Sequence, residues 1–148
     1  EFFDSQFKTN VKGLYFTVAK SLTLLSQAAK IVLNASAVST KGLPGASVYS
    51  ATKAAVRSFA RIWASELAPR QIRVNVVSPG PVETPIYAKM KMGEEQMKGF
   101  STFILNSVPL HRFASADELA RTVLFLASDD SSFMTGADIV ADGGFSQV

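Results

Sequence analysis

Tyr49 and Lys53 stand four residues apart in an Ala-rich run that begins near Ser47. On a helix that spacing stacks the two side chains on one face, with Cβ atoms roughly 5–6 Å apart. A phenol ordinarily gives up its proton at about pH 10, too high for exchange with an alcohol or carbonyl near neutrality. A fixed positive charge beside it favours the phenolate and lowers that value, so Lys53 is expected to tune Tyr49. Ser36, thirteen residues upstream of Tyr49, supplies a third group. It follows the apolar run Ile31-Val32-Leu33, where a parallel strand would deliver it to the rim shared by strand tips and helix starts.

The elements that must position these groups are legible around them. Residues 2–29 read as one helix, with apolar side chains at Phe3, Phe7, Val11, Leu14, Val18, Leu22 and Leu25, interrupted by Asn10 and Gly13. Residues 31–35 read as a strand, and Gly42-Leu43-Pro44-Gly45 as a loop. Ser47 is placed to cap a helix that runs to about Ala68 and stops before Pro69. A second strand is expected over residues 72–77, with Arg73 a polar position at its start and Asn75 either a partner of the loop near Tyr49 or a satisfied polar residue within the sheet. Pro79-Gly80-Pro81 then stiffens the exit to Thr84.

Residues 86–113, rich in Met and Phe, read either as a mobile cover over an apolar substrate or as a short peripheral helix. His111 falls in a connecting loop at the end of this segment, Pro109-Leu110-His111-Arg112-Phe113. Ser115-Ala116-Asp117-Glu118 is a capping box that opens a helix to about Ala127, with Leu119, Val123 and Leu126 toward the core. A third strand is predicted from Asp138 to Ala141, ending at Asp142-Gly143-Gly144.

Composition narrows the function classes. The 148 residues are 47% hydrophobic and 18% charged, as in one globular domain with apolar surface to spare. The net charge of +3 is dispersed, so no basic stripe for nucleic acid is expected. No apolar run approaches the roughly 18 residues of a membrane span, and the first residues do not read as a secretory leader. With no cysteine and a single histidine, thiolate and histidine-cluster metal sites are not expected, and the chain reads as cytoplasmic.

Ser36, Tyr49-x-x-x-Lys53, the run Asn75-Val76-Val77-Ser78-Pro79-Gly80 and the Asp142-Gly143-Gly144 ending occur in the order found in the short-chain dehydrogenase/reductase family, which this chain resembles over nearly its whole length. The resemblance implies an α/β fold, a doubly wound parallel sheet of the Rossmann type, of which residues 1–148 would hold the last three strands. It implies hydride transfer between NAD or NADP and a small-molecule alcohol or ketone. Tyr49 would exchange the proton, Lys53 would bind the nicotinamide ribose, Ser36 would hold the substrate oxygen, and Asn10 would bend its helix and support a water relay. The turn at Pro79, Gly80, Val82 and Thr84 would meet the nicotinamide. It also implies a homo-oligomer, a dimer or tetramer, built through helices 2–29 and 48–68.

Complete members of the family begin with a glycine-rich phosphate turn, and no such turn occurs here. The chain is therefore expected to be the C-terminal part of a longer protein, with the residue that chooses between NAD and NADP outside it. A different class of function stays open: a non-catalytic assembly module that keeps the two interface helices without a cofactor.

Overall fold

The computed structural model describes residues 1–85 and 93–148. Three parallel strands, β1 (Lys30–Asn34), β2 (Arg73–Pro79) and β3 (Asp138–Ala141), form a sheet in that order. Lys30 pairs with Arg73 and Asn34 with Val77, while Val76 pairs with Asp138 and Pro79 with Ala141. Among the described residues, the outer edge of β1 has no neighbouring strand. Strand alternation sends Leu33, Val74 and Val76 to one face, where α2 (Leu14–Ser21) and α3 (Ser47–Glu66) cover them. The spacing of Val56, Ala60, Trp63, Ala64 and Leu67 turns one face of α3 onto that sheet. The other face carries α5 (Ala116–Ala127). No helix among the described residues is long and apolar enough to cross a membrane.

The single N-terminal helix expected over residues 2–29 is broken in two ways. First, α1 (Phe2–Phe7) runs into a π turn at Lys8–Gly13 before α2 begins. Second, the helix ends at Ser21, because the Arg70 guanidinium takes the carbonyls of Leu22 and Leu25 at 2.8 and 2.6 Å. A cation there satisfies the end of the helix and favours its negative pole. The cap expected from Ser47 is also absent: Ser47 is the first residue of α3, and Ala46 occupies the cap position without a side-chain bond.

Arg73 does more than start a strand. It donates to the carbonyls of Leu126, Ser128 and Met134, joining β2 to the end of α5 and the loop before β3. Asn75 takes the second of its two expected roles, donating to Met134 O at 2.8 Å and accepting from Ala137 N at 3.0 Å. On α5, Leu126 is fully buried, whereas Val123 stays 37% exposed beside a groove between the helix and the sheet, so the expected core face is only partly filled.

Within 86–113 the helical reading holds for α4 (Glu94–Ser107), while Met90 and Met92 lie outside the described residues. Ile104 and Val108 pack with Ala37 and Phe145, which brings α4, the turn after β1 and the C-terminal turn together. His111 adopts a left-handed backbone, and its Nδ1 lies 3.2 Å from Leu105 O, a local role in the loop.

The capping box of α5 forms as expected, with Glu118 Oε2 accepting from Ser115 N at 2.8 Å. Arg112 grips the same carboxylate through two nitrogens at 2.8 and 2.7 Å, and these bonds hold Glu118 at a pKa of about 2 rather than 4.5. A carboxylate with a depressed folded pKa contributes stability above its ordinary value and loses it as pH falls through the folded one. Glu118 is fully exposed, so the effect is small. Glu118→Gln is expected to flatten the dependence of the urea midpoint on pH between 4.5 and about 2. An unchanged slope would show that the pair contributes nothing.

Candidate active site

Ser36 leaves β1 in extended conformation, and its Oγ accepts from Val38 N at 3.4 Å, capping the short turn Ala37–Ser39. That bond uses an acceptor lone pair and leaves the hydroxyl proton for a second partner. Tyr49, which the first turns of α3 carry to the same rim, lines one pocket with Ser36, and the serine favours its phenolate.

Lys53, one turn further along α3, donates from Nζ to Asn34 O at 2.9 Å. Its ammonium lies 5.6 Å from the centroid of the Tyr49 ring, within the range of cation–π attraction. The last carbonyl of β1 therefore anchors the lysine, and Asn34 joins the site although nothing in its residue type marks it.

The expected electrostatics need a correction. Burial pushes the Tyr49 phenol above its ordinary value, and what opposes that rise is the hydrogen bond from Ser36, not the charge of Lys53. The reason lies in where Lys53 sits. Its ammonium is drawn to Asn34 O and lies toward the ring rather than against the hydroxyl, and burial pushes its own pKa down.

The Pro79–Thr84 turn reaches the same place. Ser36, Tyr49, Pro79, Gly80, Val82 and Thr84 line one pocket of about 310 Å³ at the carboxyl ends of β1 and β2. Backbone bonds hold the turn in place: Glu83 N donates to Ala114 O at 2.9 Å, and Ala114 N to Pro81 O at 3.0 Å. Gly80 passes so close to Asp142 that a Cβ would meet its Cα at 2.6 Å and its carbonyl oxygen at 2.9 Å, so only glycine lets the two turns touch.

Asn10 and Lys53 line a neighbouring cavity of about 660 Å³ along the open edge of β1. Asn34 lines both spaces. Asn10 sits within the π turn, where its Nδ2 donates to Gln6 Oε1 at 3.1 Å and to Thr52 Oγ1 at 3.2 Å. The bend expected at Asn10 thus takes the form of a widened turn, tied by a side chain to α3. Nothing in the sequence marks Thr52. Its type is ordinary in a helix, and only its burial distinguishes it.

The pocket and turn have groups that fit the nicotinamide end of a dinucleotide: the Thr84 hydroxyl, a phenol and a serine line one slot beside the Pro79–Gly80 turn.

A family model described as enoyl-(acyl carrier protein) reductase matches residues 1–146. The chain is 44% identical over 147 residues to an oxidoreductase, asL5, of Sarocladium schorii, covering 98% of this chain and 57% of that protein. It is 39% identical to the 3-oxoacyl-[acyl-carrier-protein] reductase FabG of Thermotoga maritima, over 97% of this chain and 57% of the relative. Among solved structures, a short-chain dehydrogenase/reductase of Caenorhabditis elegans with cofactor superposes with a TM-score of 0.88 at 32% identity, over 99% of this chain and 56% of that one. Another short-chain dehydrogenase/reductase family protein gives 0.83 at 41%, over 99% and 58%. The chain therefore spans little more than half the length of these relatives. From the Ser36, Tyr49 and Lys53 constellation at the strand tips to the match over residues 1–146, the chain belongs to the short-chain dehydrogenase/reductase family.

Proposed function

We propose that the intact protein is an oxidoreductase that uses NAD or NADP to interconvert a small alcohol and the corresponding carbonyl compound. The observation that carries this reading is the single pocket in which Ser36 and Tyr49 face the Pro79–Thr84 turn. Val82 and Thr84 would hold the nicotinamide carboxamide, and Lys53 the adjoining ribose. The bound cofactor supplies or removes the hydride.

The chain's own residues handle the oxygen and its proton. In reduction, the Ser36 hydroxyl would hold the carbonyl oxygen within reach of Tyr49, and the Tyr49 hydroxyl would give it a proton as the alcohol forms. Burial of Tyr49 suits this direction, because a phenol with a raised pKa keeps its proton through neutrality. Lys53, held at Asn34 O, would favour return of a proton to the phenolate, and Asn10 would support a water relay to it.

The phosphate-binding part of the cofactor site would come from a preceding segment. The edge of β1, which has no neighbouring strand among the described residues, and the partial coverage of the relatives support that reading. A cytoplasmic homo-oligomer goes with it: Phe2, Phe3, Phe16 and Ile62 stay exposed on α1, α2 and α3, an apolar surface that a second copy would cover.

The test is titration of the intact protein with NADH and NADPH, followed by nicotinamide fluorescence. Saturable binding of either is expected. Absence of binding to both would overturn the redox reading in favour of a non-catalytic assembly module.

A further inference from the structure

Thr52 is wholly buried, one residue before Lys53 and three after Tyr49. Its hydroxyl donates to Tyr49 O at 2.7 Å. A hydroxyl has one proton, so toward Asn10 it can only accept, and it meets the Asn10 Nδ2 donor at 3.2 Å. The other hydrogen of that amide goes to Gln6 Oε1 at 3.1 Å. Both donors of Asn10 are thus spent: one within its own helix, the other on a residue 42 positions away.

The segment so held has an unusual geometry. Lys8–Gly13 is a π turn between two α-helical segments, α1 and α2. A π turn carries an extra residue per turn and is rare, because regular α geometry is the better-bonded alternative. Reversion to that alternative would rotate α1 against α2, and both α1 and the π turn pack on α3. The Asn10–Thr52 bond is a specific side-chain contact from α3 to the wider turn.

We propose that Thr52 is a positioning residue: its hydroxyl latches the π turn at Asn10 to the first turns of α3 and thereby keeps Tyr49 aligned with Ser36 and Lys53 aligned with Asn34. The proposal rests on the redox reading for its purpose but not for its test. Thr52 touches neither the pocket that holds Tyr49 nor the cavity that holds Lys53, so it acts through its neighbours.

The measurement is the ionisation of Tyr49 in the intact protein, without cofactor or substrate, followed by phenolate absorbance and isolated by subtracting the same titration of Tyr49→Phe. Thr52→Val keeps the side-chain shape and removes both bonds. Tyr49 should then shift away from Ser36, with which it shares a pocket and which favours the phenolate, and its midpoint should move upward. Thr52→Ser restores the hydroxyl and should return the midpoint to that of the unmodified protein.

Should Thr52→Val fail to fold, Asn10→Ala removes the latch from its partly buried side and is expected to give the same upward shift. A midpoint unmoved in Thr52→Val, or in Asn10→Ala, overturns the proposal. So does a Thr52→Ser variant that behaves like Thr52→Val, since the methyl group rather than the hydroxyl would then be at work. A moved midpoint in a protein that binds neither NADH nor NADPH overturns the redox reading alone. Cofactor binding with an unmoved midpoint overturns the latch alone.

Discussion

Tyr49→Phe abolishes the proposed reduction almost entirely, with turnover expected to fall by roughly 10²–10⁴-fold, the range for loss of a general acid. Cofactor affinity should change little, because Val82 and Thr84 keep their places in the pocket and Lys53 stays anchored at Asn34 O. The substituted ring still fills its partly buried site, so stability should be nearly unchanged at neutral pH. Steady-state kinetics in the reductive direction, with cofactor binding measured separately, check both halves. Unchanged turnover would remove Tyr49 from the chemistry.

The pH dependence follows from the raised phenol. The reductive rate should hold level through neutrality and fall on the alkaline side, where Tyr49 loses its proton. The same shift acts on stability: a raised folded pKa contributes stability that is present below the ordinary value near 10 and is lost as pH climbs through the higher folded one.

Gly80→Ala should damage structure and site together. The added methyl would lie 2.6 Å from Asp142 Cα and 2.9 Å from its carbonyl oxygen, and backbone atoms cannot swing aside as a side chain can. Overpacking of this kind costs roughly 1–3 kcal/mol. Relief requires the Pro79–Thr84 turn and the C-terminal turn to separate, stretching the 3.0 Å bond from Gly80 N to Ala141 O. The C-terminal turn is itself drawn around Asp142, whose carboxylate accepts from Gly144 N, Ser146 N and Ser146 Oγ. We expect a lower urea midpoint and weaker nicotinamide binding in the same variant. An unchanged midpoint would mean that the contact relaxes at no cost, and the glycine would then have no steric role.

Much of this architecture can be read from residue order because its signals are local. A short apolar run places Ser36 at a strand end, the four-residue spacing puts Tyr49 and Lys53 on one helical face, and the Ser115–Glu118 box starts α5. The features that residue order does not show depend on contacts between distant parts of the chain. The first helix stops at Ser21, where Arg70 reaches back to the carbonyls of Leu22 and Leu25 just beyond it, and the π turn is tied to Thr52. No local pattern in residues 2–29 announces either partner. The pKa of Tyr49 failed in the same way: spacing predicts that a lysine stands near, but not that burial outweighs it or that Asn34 draws the ammonium away.

Every pairing in the sheet joins segments that are remote in sequence, Lys30 with Arg73 and Val76 with Asp138, because parallel strands require a crossover between them. This sets the tempo of folding. α3 closes its bonds within its own turns and can form early, whereas β1 and β2 can meet only after α3 has folded back across them. Loop closure must be completed before any strand pairing compensates for it, which places such topologies among the slower folders, on a scale of roughly milliseconds to seconds. During that interval the Val-rich β2, destined for the middle of the sheet, has both edges open. The chain's greatest exposure to self-association therefore precedes the assembly of the rim that carries Ser36 and Tyr49.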